Sequence, residues 1–114
     1  MRRLRVSSTA ERELDTIFAA SEAQFGEVVA DRYRRLVSAA LVDLRLDADR
    51  AGVRTLSQSG AKLYHLRHSR HRLPRGQSVA RPRHFLAFRI VDDGIVILRV
   101  LHDAMDLPEH LKDV

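Results

Sequence analysis

The chain has no cysteine and no tryptophan among its 114 residues. Without cysteine there is no disulfide framework, no thiolate metal site and no thiol nucleophile. That absence suits a reducing cytoplasm, where the protein is expected to reside. Its five glycines are scattered, so no Gly-rich phosphate loop is present, and no G-x-S-x-G nucleophile elbow occurs. Of the two Tyr and four Phe, four fit helix stripes or an apolar sheet face, leaving no base-stacking platform. No run approaches the roughly 20 apolar residues that a bilayer crossing demands. The opening MRRLRVSSTAERELD carries charges with no apolar run behind them, unlike a signal peptide. No membrane partner is therefore expected, and there is no repeat or low-complexity tract.

The most informative absence is of acids. All 15 Asp and Glu lie at or before Asp49 or at or after Asp92. Between them stand Arg50, Arg54, Lys62, Arg67, Arg70, Arg72, Arg75, Arg81, Arg83 and Arg89, with four of the six histidines. Such a block needs an anionic partner or ample solvent. Nearly all of the chain's 20 cations are Arg, whose planar fork suits phosphate and carboxylate, although high-GC codon usage would give the same bias. Nucleic acid and an acidic protein explain the block equally well.

What is present reads as one domain, spanning residues 1–114, with 45% apolar residues and room for a single core. Residues 84–102 form its centre: HFLAFRIV, a DDG turn, then IVILRVLH, a β-hairpin by composition. A three-residue loop with Gly94 left-handed would set Val91 opposite Ile95 and Ala87 opposite Arg99. Leu86, Phe88, Ile90, Val96, Leu98 and Val100 would then share a wholly apolar face. Arg89 and Arg99 would share the other face with Phe85, Val91, Ile95, Ile97 and Leu101. That mixed face has two readings. The arginines snorkel into water, or a partner or the chain's own tail covers the surface.

Ahead of the hairpin, residues 2–6 alternate as a short strand. Ser8-Thr9-Ala10-Glu11 has the capping-box pattern, with Ser8 as the cap. Leu14, Ile17, Phe18, Ser21 and Phe25 make a helical stripe that Gly26 ends. Val29, Tyr33, Leu36, Val37, Ala40, Leu41 and Leu44 make a second, running to about Ala48, so the two form a helical hairpin. Residues 49–60 read as a loop, 62–67 as a strand, and 68–83 as a long, mobile basic loop. In the tail, Met105, Leu107 and Leu111 are placed to pack back on the sheet, with Pro108 starting a short turn. The fold class is α+β: a two-layer β-α-α-β-β-β domain, its helical hairpin packed on a small, mainly antiparallel sheet.

Two chemistries are open to this composition. His65, His68 and His71 have a metal-like H-x-x-H-x-x-H spacing, but the surrounding arginines oppose a dication, so neither a metal nor any other cofactor is expected. Acid–base cleavage of RNA could draw on His102, Arg89, Arg99, Arg83, Tyr64 and His65, although His102 reads more readily as a strand-end residue capping the sheet.

Four stretches carry a family resemblance: S-x-x-A-E-R-E-L-D-x-I from Ser7, F-G-x-x-x-A-x-x-Y from Phe25, R-H-F-L-A-F-R-I from Arg83, and G-I-V-I-L-R-V-L-H-D-x-M-D-L from Gly94. The chain resembles the ParE-type toxins of the RelE/ParE superfamily, and the element order is similar to that family's. The resemblance implies the toxic half of a bacterial type II toxin–antitoxin pair. It implies a non-catalytic inhibitor of DNA gyrase, with RelE-type, ribosome-dependent mRNA cleavage as the alternative. The implied partner is a cognate ParD-like antitoxin with an acidic C-terminal half, in a hetero-oligomeric complex that reaches DNA only through the antitoxin. The insert at residues 68–82 departs from the family's tighter link.

On this reading an acidic, apolar antitoxin tail covers Phe85, Arg89, Ile97, Arg99 and Leu101. Arg67, Arg70, Arg72, Arg75, Arg81 and Arg83 face the toxin's target.

Overall fold

The β-branched and aromatic arms pair as expected, but their turn is tighter than the glycine implied. In the computed structural model, which describes residues 2–56, 60–105 and 107–111, β4 (His84–Val91) pairs antiparallel with β5 (Gly94–His102). Val91 lies opposite Gly94, so Asp92-Asp93 is a two-residue loop, and Asp92 itself takes the positive φ of 37°. Asp tolerates this conformation because its short polar side chain can bond locally. A register shift then leaves Leu98 unpaired, and Ala87 meets Arg99 as expected. The consequence is a correction. Between turn and bulge the inward residues are Ile95 and Ile97, opposite Ile90 and Phe88, rather than Val96 and Leu98. Gly94 is not left-handed. A Cβ there would stand 3.0 Å from the Arg3 carbonyl oxygen, so glycine is needed for close approach of the neighbouring strand.

That neighbour is β1 (Arg3–Val6), which runs parallel to β5. The five-stranded order is β1-β5-β4-β3-β2, with β3 at Lys62–His65 and a two-residue β2 at Arg54–Thr55 inside the expected loop. Residues 57–59 of that loop, and 106 and 112–114 of the expected tail, lie outside the described residues.

Two helices cover one face: α1 (Ser8–Phe25) and α2 (Glu27–Leu46). Gly26 joins them at φ 90°, a backbone that only glycine adopts without strain. The cap of α1 is Ser7, one residue before the expected Ser8. Its Oγ accepts from the Ala10 amide and donates to the Leu98 carbonyl. Leu36, Val37, Ala40 and Leu44 of α2 bury against Tyr64, Leu66, Leu86, Phe88, Ile95, Ile97 and Val100. Each such aliphatic or aromatic side chain contributes about 1.5–3 kcal/mol relative to exposure.

Beyond Val6, β1 no longer lines β5, and α1 takes over that edge. Besides the Ser7 bond, the Glu13 carboxylate accepts from the Val100 amide at 2.9 Å. The other side of β1 is tied to α2, where the Arg2 amide donates to the Arg45 carbonyl and Arg45 Nε donates to the Arg2 carbonyl. Such cover keeps a sheet edge from recruiting a foreign strand.

A second, smaller cluster fills the sheet's outer face. There Leu63, Phe85, Ala87 and Leu101 meet Leu111 of the short α3 (Leu107–Leu111), with Leu56 and Leu107 beside them. Met105 is half-exposed and stays out of it.

Candidate functional site

Of the two coverings open to the outer sheet face, a partner or the chain's own tail, the structure shows the tail. Ile97 lies on the helix face and Leu101 beneath Leu111, both fully buried. Phe85 is 8% exposed, with the Arg54 guanidinium over its ring and the His65 ring at its edge. Arg99 is gripped by Glu13 of α1, whose carboxylate accepts from Nε and Nη2 at 2.9–3.2 Å. Arg89, half-buried opposite Val96, reaches across to Gly60. The five residues expected to meet an antitoxin are thus engaged inside the domain.

The basic stretch divides in two. Leu66–Arg72 is a 3-10 helix packed on α2, not the start of a mobile loop. Its anchor is Asp43, a fully buried carboxylate on α2. Ser69 donates to Asp43 at 2.6 Å, Arg50 lies at 2.7 Å and Arg72 at 2.5 Å, and the Tyr64 hydroxyl joins Ser69 at 2.7 Å. Burial works to raise the Asp43 pKa, but the hydrogen bonds from Ser69, Arg72 and Arg50 outweigh it and hold the carboxyl below its ordinary range. Arg72 is therefore structural, whereas Arg67, Arg70, Arg75, Arg81 and Arg83 are exposed. His65, His68 and His71 do not converge. His65 bonds Asp103, His68 tilts against Tyr64, and His71 is exposed.

The open surface lies elsewhere, in a cleft of about 660 Å³ between the helical hairpin and the open end of the β-hairpin. Its walls are apolar: Ile17, Ala20 and Phe25 from α1, Val29 from α2, and Val79 from the segment before β4. Phe25 and Val28, 59% and 67% exposed at the helical tip, continue that apolar surface outward. Phe25 and Val29 thus line a mouth instead of filling the core stripe that the sequence assigned them.

The closed end is polar. His84 pairs with His102 across the hairpin, ring centroids 5.3 Å apart. The Arg83 amide donates to the Tyr33 hydroxyl at 3.1 Å, and that hydroxyl lies 2.6 Å from His84 Nδ1. Burial chiefly raises the Tyr33 pKa, so the phenol keeps its proton. Burial, with the neighbouring His102, pushes His84 down to about 4. His102 Nδ1 accepts from the Ala104 amide at 3.0 Å. With Nδ1 accepting, the His102 ring offers its N–H at Nε2.

Beside the pair stands Asp103, which accepts from His65 Nε2 at 3.1 Å. Desolvation tends to raise its pKa, but the bond from His65 and the charge of Arg83 lower it below its ordinary value. Arg81 and Arg83 reach the cleft from outside, and no acid is among its described lining residues. This end of the cleft presents donors and positive charge at the foot of apolar walls.

Of the residues considered for RNA chemistry, the fold brings His102 and Arg83 to the cleft and His65 next to it through Asp103. It takes Tyr64 into the Asp43 network and Arg99 to Glu13. The sequence reading missed Tyr33 and His84 as site residues. The cross-strand pairing of His84 with His102 was implicit in the expected hairpin register, but Tyr33 sits in an apolar stripe that gives no sign of a polar task.

Comparison with known proteins bears on this arrangement. A family model described as the ParE toxin of the type II toxin–antitoxin system parDE matches residues 4–107. No curated protein matches the chain. Among solved structures, a chain of the chromosomal ParDE TA system from P. aeruginosa is similar in fold, with a TM-score of 0.67 at 19% identity, over 90% of this chain and 96% of that one.

Proposed function

The chain belongs to the ParE toxin family of type II toxin–antitoxin systems, and from that membership we propose that it is a growth-inhibiting toxin that acts on DNA gyrase without catalysis and is neutralised by a ParD-like antitoxin. The family match over residues 4–107 carries the proposal. Two features of the fold support it. The exposed arginines, Arg67, Arg70 and Arg75, offer a basic surface to a large target. The cleft offers an apolar seat for an antitoxin segment, whereas the outer sheet face is already filled by α3.

The test is a supercoiling assay with purified toxin freed of antitoxin. Relaxed plasmid, gyrase and ATP are mixed with increasing toxin, and linear or nicked DNA should accumulate as supercoiling is lost. Unimpaired supercoiling by folded protein would refute gyrase as the target. A second reading, ribosome-dependent mRNA cleavage, is favoured by one observation: two imidazoles stand together beside Arg83. Cleavage of mRNA on translating ribosomes, abolished by His102→Gln, would select it.

A further inference from the structure

The cleft joins two properties that are rarely useful separately. Its walls and the exposed helical tip are apolar, while its closed end gathers two imidazole rings and two guanidinium groups, with no acid among the described lining residues. We propose that this end is the seat of a single carboxylate, an Asp or Glu side chain carried on an apolar helical segment of the antitoxin, and that seating it draws a proton onto His84. The inference rests on the toxin–antitoxin reading and adds to it a specific anchor and a linkage to pH.

The occupant follows from shape and charge together. A free phosphate or a nucleotide would use the donors but leave the apolar wall from Ile17 to the Phe25–Val28 tip uncovered. A helix with apolar residues at one-turn spacing covers that wall and can aim one acid at the imidazoles. A carboxylate accepts from imidazole N–H groups, and its charge complements Arg81 and Arg83.

The proton linkage follows from what surrounds His84. Tyr33 faces it from α2, Arg83 from the segment before β4, and His102 and Asp103 from β5 and the turn after it. His65 of β3 acts through Asp103. The described α1 residues lining the cleft carry no titratable group. In the free protein, burial and the cationic neighbours keep His84 neutral. A buried carboxylate in contact with Nε2 reverses that balance. In the charged ring Nδ1–H donates to the Tyr33 hydroxyl, whose oxygen keeps a second lone pair beside the one the Arg83 amide uses.

Calorimetry of the full-length cognate antitoxin binding to the intact toxin tests this without any substitution. Titrations at pH 7 in PIPES and in Tris, which differ in ionisation enthalpy, should report uptake of close to one proton per complex. Affinity should rise as pH falls from 8 to 6, approaching about tenfold per pH unit. The folded double variant His84→Gln/His102→Gln should bind more weakly, with an affinity that no longer varies across that range.

Tight binding by wild-type toxin with no proton exchanged and no pH slope would overturn the inference and leave the toxin–antitoxin reading intact. Failure to bind the antitoxin at any pH would instead overturn that reading. Imidazole nitrogen resonances of the free toxin provide a check on ligand class. Acetate should shift them, and a response to inorganic phosphate or a short RNA with none to acetate would refute the carboxylate assignment.

Discussion

Glu13 and Arg99, 86 residues apart, form a bidentate ion pair at the point where β1 stops lining β5. The same carboxylate accepts from the Val100 amide, so one side chain closes a strand edge and neutralises a sheet arginine together. Glu13→Ala should lower stability by about 2 kcal/mol, since it removes charge-assisted bonds that are only partly exposed. A fall in the urea midpoint at unchanged slope is the expected record. Arg99→Glu sets two carboxylates face to face and should destabilise the domain, whatever it does to antitoxin binding.

Asp43 should be the costliest polar position. Asp43→Asn leaves Arg50 and Arg72 beside a neutral amide in a site with no exposure of the acid, and about 3–5 kcal/mol should be lost. The pH dependence has a definite sign. Because the folded pKa lies below the ordinary 3.8, the stabilisation is complete above that value and is lost as pH falls through the folded pKa. Acid titrations of stability should show this component in the wild type and not in Asp43→Asn.

His84 acts in the same sense at higher pH. Its folded pKa of about 4 lies below the ordinary 6.5, so the unfolded chain takes up the proton first. Stability should therefore fall as pH drops from 6.5 toward 4 and level off below. His84→Gln should flatten that part of the profile, as read by thermal unfolding at a series of pH values.

The basic stretch should separate by role. Arg70→Ala and Arg75→Ala should change stability by less than about 0.5 kcal/mol, because both side chains are exposed. On the proposed reading they should weaken growth inhibition. Arg72→Ala breaks its pair with Asp43 and should cost about 2–3 kcal/mol. Deleting residues 68–83 removes Ser69 and Arg72 together, so it should unfold the protein instead of isolating a target surface.

The elements themselves were largely legible in the sequence. Helical and strand periodicities placed α1, α2, β1, β3 and the hairpin close to their observed bounds, and the family resemblance named the architecture. The errors have local causes. Gly94 signalled a left-handed turn residue, but its missing side chain serves the approach of Arg3, and the bulge at Leu98 re-aimed Ile95 and Ile97. The basic composition of residues 68–72 read as loop because the carboxylate that orders it, Asp43, lies on another element and looks like any helix-surface acid. The cleft was least legible. Tyr33, His84 and His102 come together only when a helix, a strand start and a strand end meet, and no linear spacing records such a meeting.

The parallel pairing of β1 with β5 also sets the order of events in making the molecule. Ser7 finds its carbonyl partner 91 residues downstream, at Leu98. A ribosome emits roughly 5–20 residues per second, so the helical hairpin emerges seconds before the strand it is to cover. Contacts this distant in sequence close late and slow the search for the native state. The fold therefore cannot be completed one piece at a time from the N-terminus. Any product that terminates before Gly94 lacks the strand on which both layers depend, and a nonsense codon even late in the reading frame should yield an inert, degradable fragment.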